Sequence, residues 1–141
     1  MKRILSLLVL AFVVVAGTAT LTTARADAGA IQAIIAAQME ALRTGDADAA
    51  YAFAAPDIKR MFPTPERFMS MVRKGYEPVS HAVAPRFLRS RAADDGTFAQ
   101  EVAFRDDEGR PWVALYTLAR QPGGDWRITG CYLKKVEGTD A

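Results

Sequence analysis

Asp57 is the one acid within the aromatic stretch Tyr51–Phe62. A carboxyl group set against an apolar wall can act in proton transfer, because desolvation disfavours its charged form. Tyr51, Tyr76, Tyr116 and Tyr132 could supply the hydroxyl donor that such chemistry needs. An enzyme reading therefore makes Asp57 the candidate catalytic residue. The same residues have plainer uses: Asp57 as a carboxylate that caps a helix, and the tyrosines as core rings whose hydroxyls reach the surface. A binding reading asks less of them. Tyr51, Phe53, Met61, Phe68, Tyr76 and Tyr116 are aromatic or flexible side chains suited to lining a pocket for a small apolar ligand.

The remaining reactive residue types assemble into nothing larger. His81 is the single imidazole and follows Ser80, but neighbours along a strand point to opposite faces, so adjacency does not make a Ser/His pair. One Cys and one His exclude a disulfide framework and a Cys/His metal cluster. Cys131 reads as a small hydrophobe within the strand-like run Trp126–Leu133. Neither Asp46-Ala47-Asp48 nor Asp106-Asp107-Glu108-Gly109 has the ligand spacing of a calcium loop, and cap and turn roles account for both. Gly123-Gly124 reads as a hairpin turn and not as a phosphate loop. Arg86, Arg89 and Arg91 share a strand-like run; Arg89 and Arg91 are expected on the face of Phe87, either to meet an anion or lipid surface or to guard an edge strand.

The elements that must position these residues fall into two halves. Ile31, Ile34, Ile35, Gln38, Met39 and Leu42 recur at helical spacing, and Gly45 stops that helix. Asp46 caps a second helix carrying Ala50, Tyr51, Phe53 and Ala54, which ends at Pro56; Asp57 is placed to cap a short turn with Ile58, Met61 and Phe62. Thr64-Pro65-Glu66 opens a further helix with Phe68, Met71 and Val72 on its buried stripe and Gly75 as a left-handed stop. After Pro78 the period becomes two. Strands are expected around Val79–Ala84 and Arg86–Ala92, then at Phe98–Arg105, Trp112–Ala119 and Trp126–Leu133, with Trp126, Ile128, Gly130 and Tyr132 on one face of the last. Val113–Ala119 is apolar on both faces, as a central strand should be. Helices followed by an antiparallel meander is the α+β pattern, a curved sheet wrapped around helices.

The chain has 141 residues, 18 basic and 16 acidic. Lys2, Arg3 and Arg25 stand in the first 26 residues, where there is no acid. Lys2-Arg3, the apolar run Ile4–Ala16 and the small residues of Ala24-Arg25-Ala26 form the three-part pattern of a secretory signal, with cleavage before Asp27. The organisation expected is a signal peptide over 1–26, one domain over 27–136 and a tail over 137–141, with a periplasmic or secreted product. Only an uncleaved N-terminal segment would tie it to a membrane. The near-neutral remainder excludes nucleic-acid binding through bulk charge.

Ile34 to Arg43, Gly45-Asp46, Ala50–Pro56, Phe68–Tyr76 and Trp126–Cys131 resemble an uncharacterised exported bacterial family, domain of unknown function 4864. The resemblance spans nearly all of the chain after the signal and transfers no catalytic residue. The order of helices and then a meander also resembles the nuclear transport factor 2-like (cystatin-like) cone. That likeness implies an apolar pocket, isomerase- or SnoaL-type cyclase chemistry in some members, and dimerisation through the open sheet face in others. The leading expectation is an exported, non-enzymatic domain that binds a small apolar ligand or a partner, without cofactor or metal. The alternatives are an enzyme using Asp57 with a tyrosine, and a homodimeric interaction module.

Overall fold

The computed structural model describes residues 18–137. Lys2-Arg3 and Ile4–Ala16 of the expected signal, and Gly138–Ala141 of the expected tail, lie outside the described residues. Five helices precede four strands: α1 (Thr18–Thr44), α2 (Ala47–Ala52), α3 (Pro56–Met61), α4 (Pro65–Gly75), α5 (Glu77–Ser80), β1 (Val83–Ala92), β2 (Thr97–Arg105), β3 (Pro111–Arg120) and β4 (Trp126–Lys135). The sheet is an antiparallel meander in the order β1-β2-β3-β4. The fold is α+β as expected, and β3 is an interior strand. Among the described residues no helix is long and apolar enough to cross a membrane.

The α1 stripe and the helix signals at Gly45, Asp46 and Thr64 act where the residues predict. Ile31, Ile35, Met39 and Leu42 of α1 are buried. Gly45 takes φ 76°, and Gly45 and Asp46 donate their N–H groups to Leu42 O (3.3 Å) and Ala41 O (2.9 Å), the paired bonds of a left-handed helix stop. The Asp46 carboxylate accepts from Ala49 N at 3.1 Å, and the Thr64 hydroxyl accepts from Arg67 N at 3.2 Å. α1 itself is longer than expected: it is already helical at Thr18 and runs through Asp27.

Four local expectations are corrected. Asp57 caps nothing: Ala55 holds the cap position, Pro56 opens α3, and Asp57 sits within its first turn. Proline fits there because its missing N–H would be unpaired in any case. Gly75 is the last residue of α4 and not a left-handed stop; the chain continues through Tyr76 into α5. Val79–Ala84 is not a separate strand: Val79 and Ser80 end α5, and Val83 and Ala84 already belong to β1. Val79 N donates to Tyr76 O (3.0 Å) and the Ser80 hydroxyl to Glu77 O (2.7 Å), which closes one helical turn instead. Finally, β1 breaks register between Val83 and Arg86 and between Phe87 and Ser90. Phe87 stands opposite Val102 on the core side, whereas Arg91 stands opposite Ala99 on the other, so Phe87 and Arg91 do not share a face.

The core lies between the helices and one face of the sheet. Phe98, Val102 and Phe104 of β2 and Ala114, Tyr116 and Leu118 of β3 are buried there with Ala50, Phe68, Met69 and Val72 from the helices and Ala54 from the link between α2 and α3. Among the described residues no helix covers the opposite face.

Candidate functional site

The site forms because β4 is irregular. Leu118 pairs with Ile128, but Thr117 pairs with Gly130, so Thr129 is an extra residue in β4. A bulge moves every later side chain to the other face. Trp126 and Ile128 point into the core, as expected; beyond the bulge Cys131 and Leu133 do so, and Tyr132 turns outward, 69% exposed. The expected face Trp126–Ile128–Gly130–Tyr132 is corrected accordingly. The bulge adjoins an anchor from the helical half. Ile128 N donates to Phe53 O and Ala55 N donates to Ile128 O, both at 2.8 Å, in a parallel bridge around Ala54.

Next to this anchor the helices do not close on the sheet. A cavity of about 310 Å³ lies between α1, α3, α4 and the β3–β4 pair. Ile58, Met61 and Phe62 form one wall, Phe68, Met71, Val72, Tyr76 and Val79 another, and Tyr116, Ile128, Thr129, Gly130 and Cys131 the floor, with Gln38 and Leu42 behind. None of these side chains is an acid, a lysine, an arginine or a histidine. The Gln38 side-chain amide, itself buried, donates to Ala50 O at 3.2 Å.

Burial holds the protons on Cys131 and Tyr116 at the cavity floor. Burial pushes the Cys131 thiol up to about 12, against a smaller opposing effect from the neighbouring Tyr116 hydroxyl. Burial likewise raises Tyr116 well above the usual phenol value, and the neighbouring Cys131 adds to the shift. They face each other because Tyr116 and Cys131 are register partners.

Of the residues expected to bind a ligand, Met61, Phe68, Tyr76 and Tyr116 line the cavity, and Tyr51 and Phe53 do not. The Tyr51 hydroxyl donates to Phe62 O at 2.7 Å and its ring packs on Phe68 with centroids 5.7 Å apart, so it holds the α3 wall from behind. Asp57 is also outside, an exposed carboxylate paired with Arg60. His81 is exposed after α5. Gln38 had a sequence signal, as the polar member of the α1 stripe. Cys131 had none, because the bulge that turns it inward leaves the alternation unmarked.

Asp106 is the strongest electrostatic feature elsewhere. It is buried, yet it accepts from Trp112 Nε1 (3.0 Å), Arg110 N (2.9 Å), Arg110 Nε (2.8 Å) and Glu108 N (3.0 Å). Burial alone would raise its pKa; these bonds outweigh that and hold it at about 2. It organises the β2–β3 turn. Among the described residues no three His, Cys, Asp or Glu side chains gather as metal ligands.

The sequence profile of a family described as "Domain of unknown function (DUF4864)" matches residues 24–141. No curated protein matches the chain. The 1.8 Å structure of Aln2 from a Streptomyces species is similar at 19% identity, covering 75% of this chain and 88% of its own, with a TM-score of 0.46.

Proposed function

We propose that this chain, which belongs to the DUF4864 family, is an exported, non-enzymatic domain that binds a small, uncharged, largely apolar molecule. The observation that carries this reading is the cavity lining, which holds no charged side chain. Ionised ligands would lose hydration there without a counter-charge, whereas apolar surface gains from entry. The volume of about 310 Å³ lies at the small end of ligand pockets. Gln38, Tyr76 and Thr129 offer the few polar groups that would orient a ligand. Proton transfer finds no base in this lining, which counts against the enzyme reading built on Asp57.

Export accords with the way α1 enters the core. Among the described side chains the first packed on the core is Ala28, and Arg25 is exposed. Cleavage before Asp27 would therefore remove no packed side chain among the described residues.

Nile red, a neutral apolar dye, tests the binding reading. Its fluorescence should rise on mixing with the protein and saturate at one dye per chain. Met71→Trp, which fills the cavity from α4, should abolish the rise while leaving the circular dichroism unchanged. Undiminished dye binding by that variant would rule the cavity out as the site.

A further inference from the structure

We propose that the uncovered face of the sheet docks onto an anionic lipid bilayer. Among the described residues the exposed large hydrophobic side chains are Met61, Val83, Leu88, Leu115, Tyr132 and Val136. Met61 stands at the cavity wall, and the other five belong to the sheet side. Leu115 and Tyr132 are register partners on the face turned from the helices. Leu88 and Val136 come against Val113 in a groove on that same face, and Val83 is paired with Arg105 at its end.

Cations surround this apolar row. Arg86 pairs with Ala103, Arg91 with Ala99 and Lys134 with Val113, which sets all three on the outer face. Arg89 joins them, 88% exposed and bonded at 3.1 Å to Glu101. That contact neutralises the acid at the centre of the face, and Glu137 stands at the edge after β4. The whole chain carries only +2, so attraction to anions is local to this surface.

The charge pattern selects the occupant. A second copy docked face to face would bring together two surfaces that each carry Arg86, Arg91 and Lys134, and like charges facing each other are costly. A bilayer supplies mobile anionic headgroups that arrange around any basic pattern. Its boundary layer takes a tyrosine ring with the hydroxyl toward water, which suits Tyr132.

Sedimentation with vesicles tests the proposal on the whole protein. Vesicles are made of phosphatidylcholine alone, or of equal parts phosphatidylcholine and phosphatidylglycerol. The N-terminal segment carries Lys2, Arg3 and Arg25 and would itself favour anionic vesicles, so the comparison of the wild type with a variant of the face isolates the sheet. Binding should be confined to the anionic vesicles or strongly favour them, and that preference should fall away by about 0.5 M salt. The triple variant R86Q/R91Q/K134Q should weaken anionic binding by about 100-fold. The indole introduced by Tyr132→Trp should shift its emission to the blue on anionic vesicles only. Equal binding to both vesicle types, a triple variant that binds like the wild type, or an unshifted indole would each overturn the proposal. So would a dimer that dissociates on dilution and is abolished by Tyr132→Ser, which would assign the face to a second copy.

Discussion

Cys131 lines a cavity without being a reactive thiol, because its burial keeps the proton on sulfur up to about pH 12. The thiolate is the nucleophile, and free cysteine has a pKa near 8.5. Fewer thiolates, partly offset by the greater nucleophilicity of each, should make Cys131 about 100-fold slower than free cysteine toward iodoacetamide at pH 7. A rate equal to that of free cysteine would show that the thiol is not held as described. Asp57 makes the complementary case. Its carboxylate is exposed and meets only Arg60, so Asp57→Asn should change stability by no more than about 0.5 kcal/mol and leave Nile red binding intact. Tyr51 does more work than its absence from the cavity suggests. Tyr51→Phe removes the hydrogen bond to Phe62 O and should cost about 1 kcal/mol by chemical denaturation, loosening the α3 wall.

At the scale of elements, the helix ends at Gly45, Asp46 and Thr64 were legible in the sequence, whereas those expected at Asp57 and Gly75 and the strand irregularities were not. Gly45, Asp46 and Thr64 act through their own backbone neighbours, so their types alone predict what they do. A bulge depends on what pairs across the strand. β4 carries Thr129 as an extra residue beside the Phe53–Ala55 bridge, and nothing in the order Ile128-Thr129-Gly130-Cys131 marks it. Cys131 was thus lost from the candidate site and Tyr132 misplaced toward the core. The inversion is measurable: Tyr132→Ser should cost less than about 0.5 kcal/mol, whereas Leu133→Ala, which packs on the core, should cost about 1 to 2 kcal/mol. The β2–β3 turn yields a pH dependence. Asp106 falls from 3.8 to about 2 in the folded chain, so the folded state favours the ionised form. Its stabilisation is complete above the unfolded value and is lost as pH falls from about 4 to about 2. Asp106→Asn should be less stable at pH 7 and show a shallower loss of denaturation midpoint across that acid window.

For the whole molecule, the change of hydrophobic period from 3.6 to 2 was enough to predict helices followed by an antiparallel meander, although the strands begin at Val83, after α5, and not at Pro78. Periodicity records which side of each element is buried, and here one sheet face meets all the helices. The cavity itself was only half legible: Met61, Phe68, Tyr76 and Tyr116 were identifiable as aromatic or flexible residues on buried stripes. Its existence depends on how closely α3 and α4 approach β4, which no stripe encodes. The start of the domain is the remaining global question, since α1 is continuous through the expected cleavage point. Among the described residues two interactions tie its beginning to the fold. Arg120 donates to the Asp27 carboxylate at 2.6 Å, and Ala28 packs on the core. A chain beginning at Asp27 retains both and should unfold at the same temperature as one beginning at Thr18. A chain beginning at Ala30 loses an ion pair worth up to about 1 kcal/mol together with a small apolar contact, and should melt about 3 to 6 °C lower. Thermal unfolding followed by circular dichroism compares the three. A large loss already in the chain beginning at Asp27 would mean that residues before it belong to the folded domain, which would place any cleavage site upstream.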